Sequence, residues 1–136
     1  MKKLSRRSLL QAISGGVLAT VFGFFSKGCG KNHGPTKVSA EQISLIAFIK
    51  AKAGKEAEVK KVLTDLLAPT RQEEGCINYT MHMNPQDPSH FMFYENWASQ
   101  ALLDKHLNAP HVTAFVARVD ELLAEPIDLT KWTMVG

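Results

Sequence analysis

Two histidines and a carboxylate in the second half of the chain have the side chains that acid–base chemistry needs. His106 and His111 flank Pro110, and Glu95 interrupts an otherwise aromatic face of a predicted strand. An ionised carboxylate on such a face costs several kcal/mol unless it is paired, and an imidazole can accept a proton near neutral pH. If the strand packs against the helices that carry the histidines, these groups meet in one apolar pocket. Glu95 could equally make a structural hydrogen bond, and His106 could cap its helix.

Aromatic side chains accompany these polar groups. Phe91, Phe93 and Trp97 share a face with Glu95, and large apolar side chains in such positions belong to a core more often than to a substrate site. The sequence has no phosphate-binding loop, no cysteine pair at metal spacing, no His-Glu-x-x-His and no serine nucleophile elbow. We therefore expect no metal site, and we interpret Cys76 as a buried strand residue.

Alternating and helical patterns predict the elements that hold these residues. Residues Ile43–Ala51 are apolar on both sides of an alternating pattern, which predicts a strand buried on both faces. Apolar residues then follow at helical spacing from Val59 to Thr70, which predicts an amphipathic helix. Pro69 should kink this helix or start a new turn, and Gly75 should cap its end.

A hairpin and a helix pair are predicted next. Residues Cys76–Asn84 and His90–Trp97 alternate, and the turn-forming segment 85–89 between them indicates an antiparallel hairpin. Ser99 can cap one short helix. Pro110 suits the first turn of a second helix.

The last predicted elements complete a known arrangement. The second helix should end at Pro126, and residues Ile127–Val135 form the final strand. The order is strand, helix, strand, strand, helix pair, strand. This is the split βαβ, ferredoxin-like α+β fold, in which helices cover one side of a four-stranded antiparallel sheet.

The first 29 residues have the layout of an export signal. They contain five cations and no acidic residue, and their basic start precedes a mostly apolar run from Leu9 to Phe25. That run is too short and too polar for a spanning helix. The segment Ser5–Gln11, with its paired Arg6 and Arg7, resembles a twin-arginine export signal. We expect a protein exported to the periplasm or the cell envelope.

A linker and a single folded domain follow the signal. Residues 30–40 lack hydrophobic periodicity and predict a linker, so the domain comprises residues 41–136. Cys29 could be lipidated and anchor the protein to a membrane, although Ser26 and Lys27 depart from the residues that such a site prefers. Beyond the signal the chain has 11 cations and 13 anions, which argues against nucleic-acid binding through a basic face.

The domain resembles one family along nearly its whole length, from Ile43 to Val135. The positions that carry the resemblance are Pro69–Arg71, Gly75-Cys76, Tyr79, Asp87-Pro88, Phe91, Tyr94–Trp97, His106-Leu107 and Pro110–Phe115. They are similar to the antibiotic biosynthesis monooxygenase domain, and in particular to its small quinol monooxygenase-like branch. The resemblance implies a ferredoxin-like domain that dimerises through its sheet as a dimeric α/β barrel. It also implies a substrate pocket between the sheet and the helices.

The resemblance implies oxidation of a quinol or related aromatic substrate by O2 without metal, flavin or haem. A base must then deprotonate the substrate in a dry pocket. We expect His106 as the base and Glu95 as the carboxylate that orients it or balances its charge. Tyr79, Trp97 and Phe115 could line the slot for the ring, with His111 at the same pocket.

Two other functions remain open on the same residues. An isomerase of a small hydroxycarbonyl compound would use the same histidine and glutamate for proton transfer. A non-catalytic dimer would bind a ligand and release it unchanged. One scaffold hosts many functions, so fold alone cannot decide. In each case a first strand that is apolar on both faces leaves one side of the sheet for a second copy, which predicts a homodimer.

Overall fold

The structure, a computed structural model, describes residues 3–4 and 41–135. Its strands are β1 (Lys3–Leu4), β2 (Ile43–Lys50), β3 (Cys76–Asn84), β4 (Asp87–Trp97) and β5 (Ile127–Trp132). Its helices are α1 (Glu56–Asp65), α2 (Leu67–Arg71), α3 (Gln100–Leu107), α4 (Pro110–Val116) and α5 (Val119–Leu122). The strands form one antiparallel sheet in the order β1-β5-β2-β4-β3. Strands β2 to β5 and their helices have the predicted ferredoxin-like order, and the two-residue β1 adds to the β5 edge.

The register of the sheet places the site residues on its inner face. Leu45 and Tyr79 both lie opposite Glu95, on the two strands that flank β4. Because successive side chains of a strand point to opposite faces, the buried Phe91, Phe93, Glu95 and Trp97 all face the helices. The buried core lies between this face and the helices and includes Leu45, Ile49, Val59, Leu63, Phe91, Phe93, Trp97, Leu103 and Leu122.

The opposite face of the sheet is only partly covered. Phe48, Tyr94 and Trp132 are 38%, 37% and 57% exposed. The strand predicted over Ile43–Ala51 is confirmed as Ile43–Lys50, but in the single chain it is fully buried on one face only. The helices described in residues 41–135 pack on the inner face of the sheet, so the outer face of this strand is left open.

Local sequence signals explain most helix boundaries. Of the kink or new turn predicted at Pro69, the structure has the second, because the first helix ends at Asp65 and Pro69 lies in the separate short helix α2. The Ser99 hydroxyl accepts a hydrogen bond from the Leu102 backbone N–H at 3.4 Å, as expected of an N-cap. Pro110 is the first residue of α4.

Several boundaries differ from the prediction, and the last strand ends at Trp132 rather than at Val135. The hairpin turn is shorter than 85–89, since β4 begins at Asp87, which is tied down by Lys50 and by the Ser89 backbone N–H. The helix expected to run to Pro126 breaks after α4, where Arg118 forms ion pairs with carboxylates. Gly75 is not a helix cap, because α2 ends at Arg71 and Gly75 lies in the following turn with φ of 81°.

Some sequence-based expectations concern residues that the structure leaves undescribed. Apart from Lys3–Leu4, the predicted export signal, the linker and Cys29 lie outside the described residues. Among the helices of the described part, none has the length and apolar character needed to cross a membrane.

Candidate active site

A narrow cavity lies between the inner face of the sheet and the helices. It has about 60 Å³ of space, and its lining is largely apolar. The lining residues that matter for chemistry or for ring contacts are Tyr79, Phe93, Glu95, His106, Leu107 and Phe115. Four of the six predicted site residues therefore meet at this cavity. The other two, Trp97 and His111, lie behind its lining.

His106 is the buried imidazole at this cavity. Capping by Ser99 fixes the start of α3, so that Leu103 and His106, three residues apart, face the sheet together. The His106 ring is 3% exposed and packs on the Trp97 indole with ring centroids 4.5 Å apart. Burial lowers the pKa of His106, and the nearby Glu73 carboxylate opposes this shift. The environment thus favours the neutral ring, which can accept a proton.

The carboxylate that contacts His106 is Glu73, from the turn between α2 and β3. His106 Nδ1 lies 3.1 Å from both Glu73 oxygens, and His111 Nε2 lies 2.9 Å from Oε1. The expected pairing of His106 with Glu95 is therefore wrong in its partner. Sequence reasoning missed Glu73 because Glu73-Glu74, in a charged segment before a glycine, looks like an ordinary exposed turn. The one sequence signal near Glu73 is that it lies two residues before the Gly75-Cys76 pair, which is among the positions that carry the family resemblance.

Glu95 has both of the roles that the sequence left open, since it faces the pocket and also makes a structural hydrogen bond. Its side chain lines the cavity, and Oε2 accepts a hydrogen bond from Trp97 Nε1 at 3.0 Å. Burial raises the pKa of Glu95 to about 7, the charge of Glu73 adds to this, and the Trp97 N–H opposes it. Near neutral pH this carboxyl can therefore donate or accept a proton. Trp97, expected in the ring slot, instead lies wholly buried behind His106 and orients Glu95.

A larger groove lies on the outer side of His106. It has about 600 Å³ of space, and its lining includes Glu73, Glu74, Lys105, Asn108 and His111. His111 thus faces this groove rather than the cavity, and its Nε2 also lies 3.1 Å from the buried Thr70 hydroxyl. Glu73, His106 and His111, here called the Glu–His–His cluster, separate the groove from the cavity.

The Glu–His–His cluster is also the group in residues 41–135 whose side chains could hold a metal ion. Its three donor atoms lie within 4.8 Å of one another. The His106–Glu73 separation also fits an ordinary N–H···O hydrogen bond, with the carboxylate accepting from Nδ1–H. His111 Nε2 lies within ion-pair distance of the same carboxylate, and its hydrogen-bond partner is the Thr70 hydroxyl. The same atoms can therefore act as an oriented acid–base pair or as a set of ligands.

Comparison with known proteins places this site in a family. Residues 42–118 match the family of the antibiotic biosynthesis monooxygenases. The chain belongs to that family. The matched segment includes Glu73, Glu95, His106 and His111, and it ends before the last strand.

Two relatives are similar in sequence to this antibiotic biosynthesis monooxygenase domain, and one of them carries a monooxygenase name. "Uncharacterized protein sll1783" of Synechocystis is 31% identical over 93 residues, which are 68% of this chain and 63% of that protein. The chain thus spans less than two thirds of that relative's length. "Putative monooxygenase YcnE" of Bacillus subtilis is 32% identical over 89 residues, which are 65% of this chain and 94% of that protein.

Solved structures show the same fold. The crystal structure of PA3566 from Pseudomonas aeruginosa superimposes with a TM-score of 0.68 at 29% sequence identity, covering 73% of this chain and 98% of that one. The structure of Rv0793 from Mycobacterium tuberculosis gives a TM-score of 0.66 at 25% identity, covering 70% and 96%. The ferredoxin-like architecture predicted from the sequence is confirmed by these matches.

Proposed function

We propose that this protein is a monooxygenase that oxidises a quinol or a related phenolic compound with O2 and needs no cofactor for the reaction. The observation that carries this is the buried His106 imidazole, which lines an aromatic cavity while its Nδ1 contacts Glu73. Family membership and a relative with a monooxygenase name support the reaction class. The apolar and aromatic lining of the cavity favours an aromatic ring as the substrate. Side chains must move to admit it, because about 60 Å³ is well below the roughly 300 Å³ of a typical ligand pocket.

His106 acts as the general base in this proposal. When its Nδ1–H donates to Glu73, the lone pair of Nε2 is the one that can accept a proton from the substrate hydroxyl. Glu73 fixes this tautomer and stabilises the imidazolium that forms, as a carboxylate does for the histidine of a catalytic triad. Trp97 holds the ring plane from the other side.

The substrate supplies all the electrons that reduce O2. Hydroquinone and O2 give hydroxybenzoquinone and water, so no external reductant enters the balance. His106 takes the phenolic proton, the phenolate passes an electron to O2, and the two radicals form a carbon–oxygen bond. The resulting peroxide takes the proton back from His106. Loss of the ring C–H proton and cleavage of the O–O bond then give the new carbonyl group and water.

Other residues of the cavity bind and orient the ring. Tyr79 and Phe115 offer aromatic surface, and the raised pKa of Glu95 lets its carboxyl donate a hydrogen bond to a substrate or peroxide oxygen. The apolar lining also keeps bulk water from the reacting oxygen.

The experiment is aerobic incubation of the chelator-treated protein with a panel of hydroquinones under ¹⁸O₂. We expect oxygen uptake and a product that has gained one labelled oxygen atom and lost two hydrogen atoms. If the products are hydrogen peroxide and a quinone without the label, oxygen insertion is contradicted. A rearranged substrate without oxygen uptake would indicate the isomerase, and a ligand recovered unchanged would indicate a binding protein.

We also propose that the protein is exported and works as a homodimer. The paired Arg6 and Arg7 before a soft apolar run support export by the twin-arginine route, and Cys29 offers a possible lipid anchor. The open sheet face with exposed Phe48 and Tyr94 supports pairing with a second copy.

A further inference from the structure

The geometry of the Glu–His–His cluster points to a binding site for a divalent first-row transition-metal ion such as Zn²⁺, whose binding inhibits the proposed reaction. The inhibitory effect rests on the proposed function, whereas metal binding itself does not. The proposal starts from three donor atoms that converge: His106 Nδ1, His111 Nε2 and a carboxylate oxygen of Glu73.

The spacing of these donors suits a metal ion. Glu73 lies 3.1 Å from His106 Nδ1 and 2.9 Å from His111 Nε2. A tetrahedral ion with bonds of about 2.0–2.2 Å to nitrogen and oxygen holds neighbouring ligand atoms roughly 3.3–3.6 Å apart. The three donor atoms lie within 4.8 Å of one another, so an ion can replace the His106 Nδ1–H proton once the two imidazole rings draw closer together.

The three ligands are held in place before any ion binds. His106 is buried against the Trp97 indole. The Thr70 hydroxyl, at the buried end of α2, holds His111 Nε2 near Glu73 until an ion takes the lone pair of that nitrogen. His111 is the second residue of α4, whose start is set by Pro110. Because the ligands come from a turn and two helices, no regular sequence spacing marks the site. This explains why motif analysis gave no metal site.

Charge and access also favour a cation. One carboxylate and two neutral imidazoles form a ligand set that suits zinc, cobalt, nickel or copper better than magnesium or calcium. The outer groove gives the ion a path from solvent and leaves a coordination position open for water, as in sites with three protein ligands. Lys105 is a cation that also lines the groove, and its ammonium group forms an ion pair with the Glu74 carboxylate at 3.4 Å.

A bound ion would remove the base from the proposed reaction. With the metal on Nδ1, a neutral His106 ring must carry its proton on Nε2. The nitrogen available to the cavity is then a donor and cannot accept the substrate proton. Glu73 is also withdrawn from its role of stabilising the imidazolium.

The test uses Co²⁺ as a probe with the untagged full chain. A Cys29→Ser background removes a competing thiolate from outside the described residues. We expect one Co²⁺ per chain, with visible absorption bands that Zn²⁺ abolishes. Glu73→Gln and His111→Gln should each weaken binding at least about tenfold. Glu74→Gln is the matched control, because it lines the same groove and removes the same charge, and it should bind as the parent does. Circular dichroism checks that each variant is folded.

Binding alone decides whether the site exists. The proposal is overturned if the folded parent shows no Co²⁺ spectrum at millimolar metal, or if Glu73→Gln and His111→Gln both bind as tightly as the parent. Oxygen uptake decides the inhibition. If Co²⁺ binds and uptake is unchanged, the inhibitory part is wrong. If the chelator-treated protein never consumes oxygen, the proposed function fails while the binding result still stands.

Discussion

His106 carries the proposed chemistry at the scale of single residues. His106→Ala should lower the rate of oxygen uptake by about 10²–10⁴-fold, the usual contribution of a positioned acid–base group. Stopped reactions with a hydroquinone at saturating concentration measure this, alongside thermal unfolding of the same variant. Gln100→Ala, on the exposed start of α3, should leave the rate unchanged. A loss of rate that only follows a fall in melting temperature would make His106 a structural residue.

Glu73 and His106 should behave as one unit in the same assay. Because the carboxylate acts through the imidazole, a double variant with Glu73→Gln and His106→Ala should be little slower than His106→Ala alone. His111 also contacts Glu73 and therefore belongs to this network. Full additivity of the two changes would show that Glu73 acts independently.

Glu95 should make the stability of the protein depend on pH. Its pKa is about 7 in the folded state, above the ordinary 4.5, so the folded state binds more protons between these values. Stability from this group is therefore present at low pH and is lost as pH rises from about 4.5 to 7, by roughly 3 kcal/mol. Glu95→Gln keeps an acceptor for Trp97 and should remove this loss. Urea unfolding at pH 5 and pH 8 measures the difference, and equal pH dependence in both proteins would contradict it.

The residues of the site were only partly predictable from sequence. Glu95 and His106 are visible because each breaks an apolar pattern, and a polar side chain on a buried face calls for an explanation. Glu73 breaks no pattern, since a glutamate in a charged turn is the ordinary case. Its role depends on the distance between a turn and a helix 33 residues later in the chain, which periodicity cannot report.

At the scale of elements, the turn before β3 sets where Glu73 sits. Gly75 has φ of 81°, and a Cβ there would lie 2.3 Å from Leu102 Cδ1. Gly75→Ala should lower the free energy of unfolding by about 1–2 kcal/mol for the backbone and a further 1–3 kcal/mol for the clash. Urea unfolding measures this.

Gly54 provides the matched control for that change. It has the same φ of 81°, but a Cβ there meets nothing within 4 Å. Gly54→Ala should therefore show the backbone cost alone and leave oxygen uptake intact, while Gly75→Ala should also lower uptake by moving Glu73. If the two substitutions lower stability equally, α3 moves to accommodate the added methyl group and the predicted clash with Leu102 is absent.

Most elements followed from the sequence because their patterns are local. Strand alternation, helical spacing and the Ser99 and Pro110 signals depend on neighbouring residues. The break after α4 could not be predicted from the sequence, because apolar residues continue across it at helical spacing. It depends on Arg118, which binds the distant Glu58. The early start of β4 likewise depends on a long-range partner of Asp87, the Lys50 ammonium group.

At the scale of the whole molecule, the open sheet face should bury itself against a second copy. A charge at its centre would be costly to desolvate in such an interface. Phe48→Glu should therefore convert a dimer to a monomer in sedimentation velocity at micromolar concentration. Ala57→Glu, on the exposed side of α1, adds the same charge away from this face and should stay dimeric. A monomeric parent protein would refute the expectation.

Export concerns the whole precursor. Replacing Arg6 and Arg7 by lysine keeps the charge of the segment, but a receptor reads twin-arginine signals residue by residue. We expect the double variant to remain in the cytoplasm, measured by fractionation of producing cells. Unchanged export would rule out this route, and palmitate labelling lost in Cys29→Ala would separately establish a lipid anchor.

The alternation along β4 limits how this protein can change in length. Glu95 and Trp97 point to the inner face of the sheet, while Met92 and Tyr94 point to the open face. One residue inserted or deleted within the strand would exchange the two sets and destroy the site and the assembly surface together. Within the β3–β4 hairpin, changes in length that preserve function should therefore be confined to the turn at Pro85–Gln86, where an added residue leaves both sets in register.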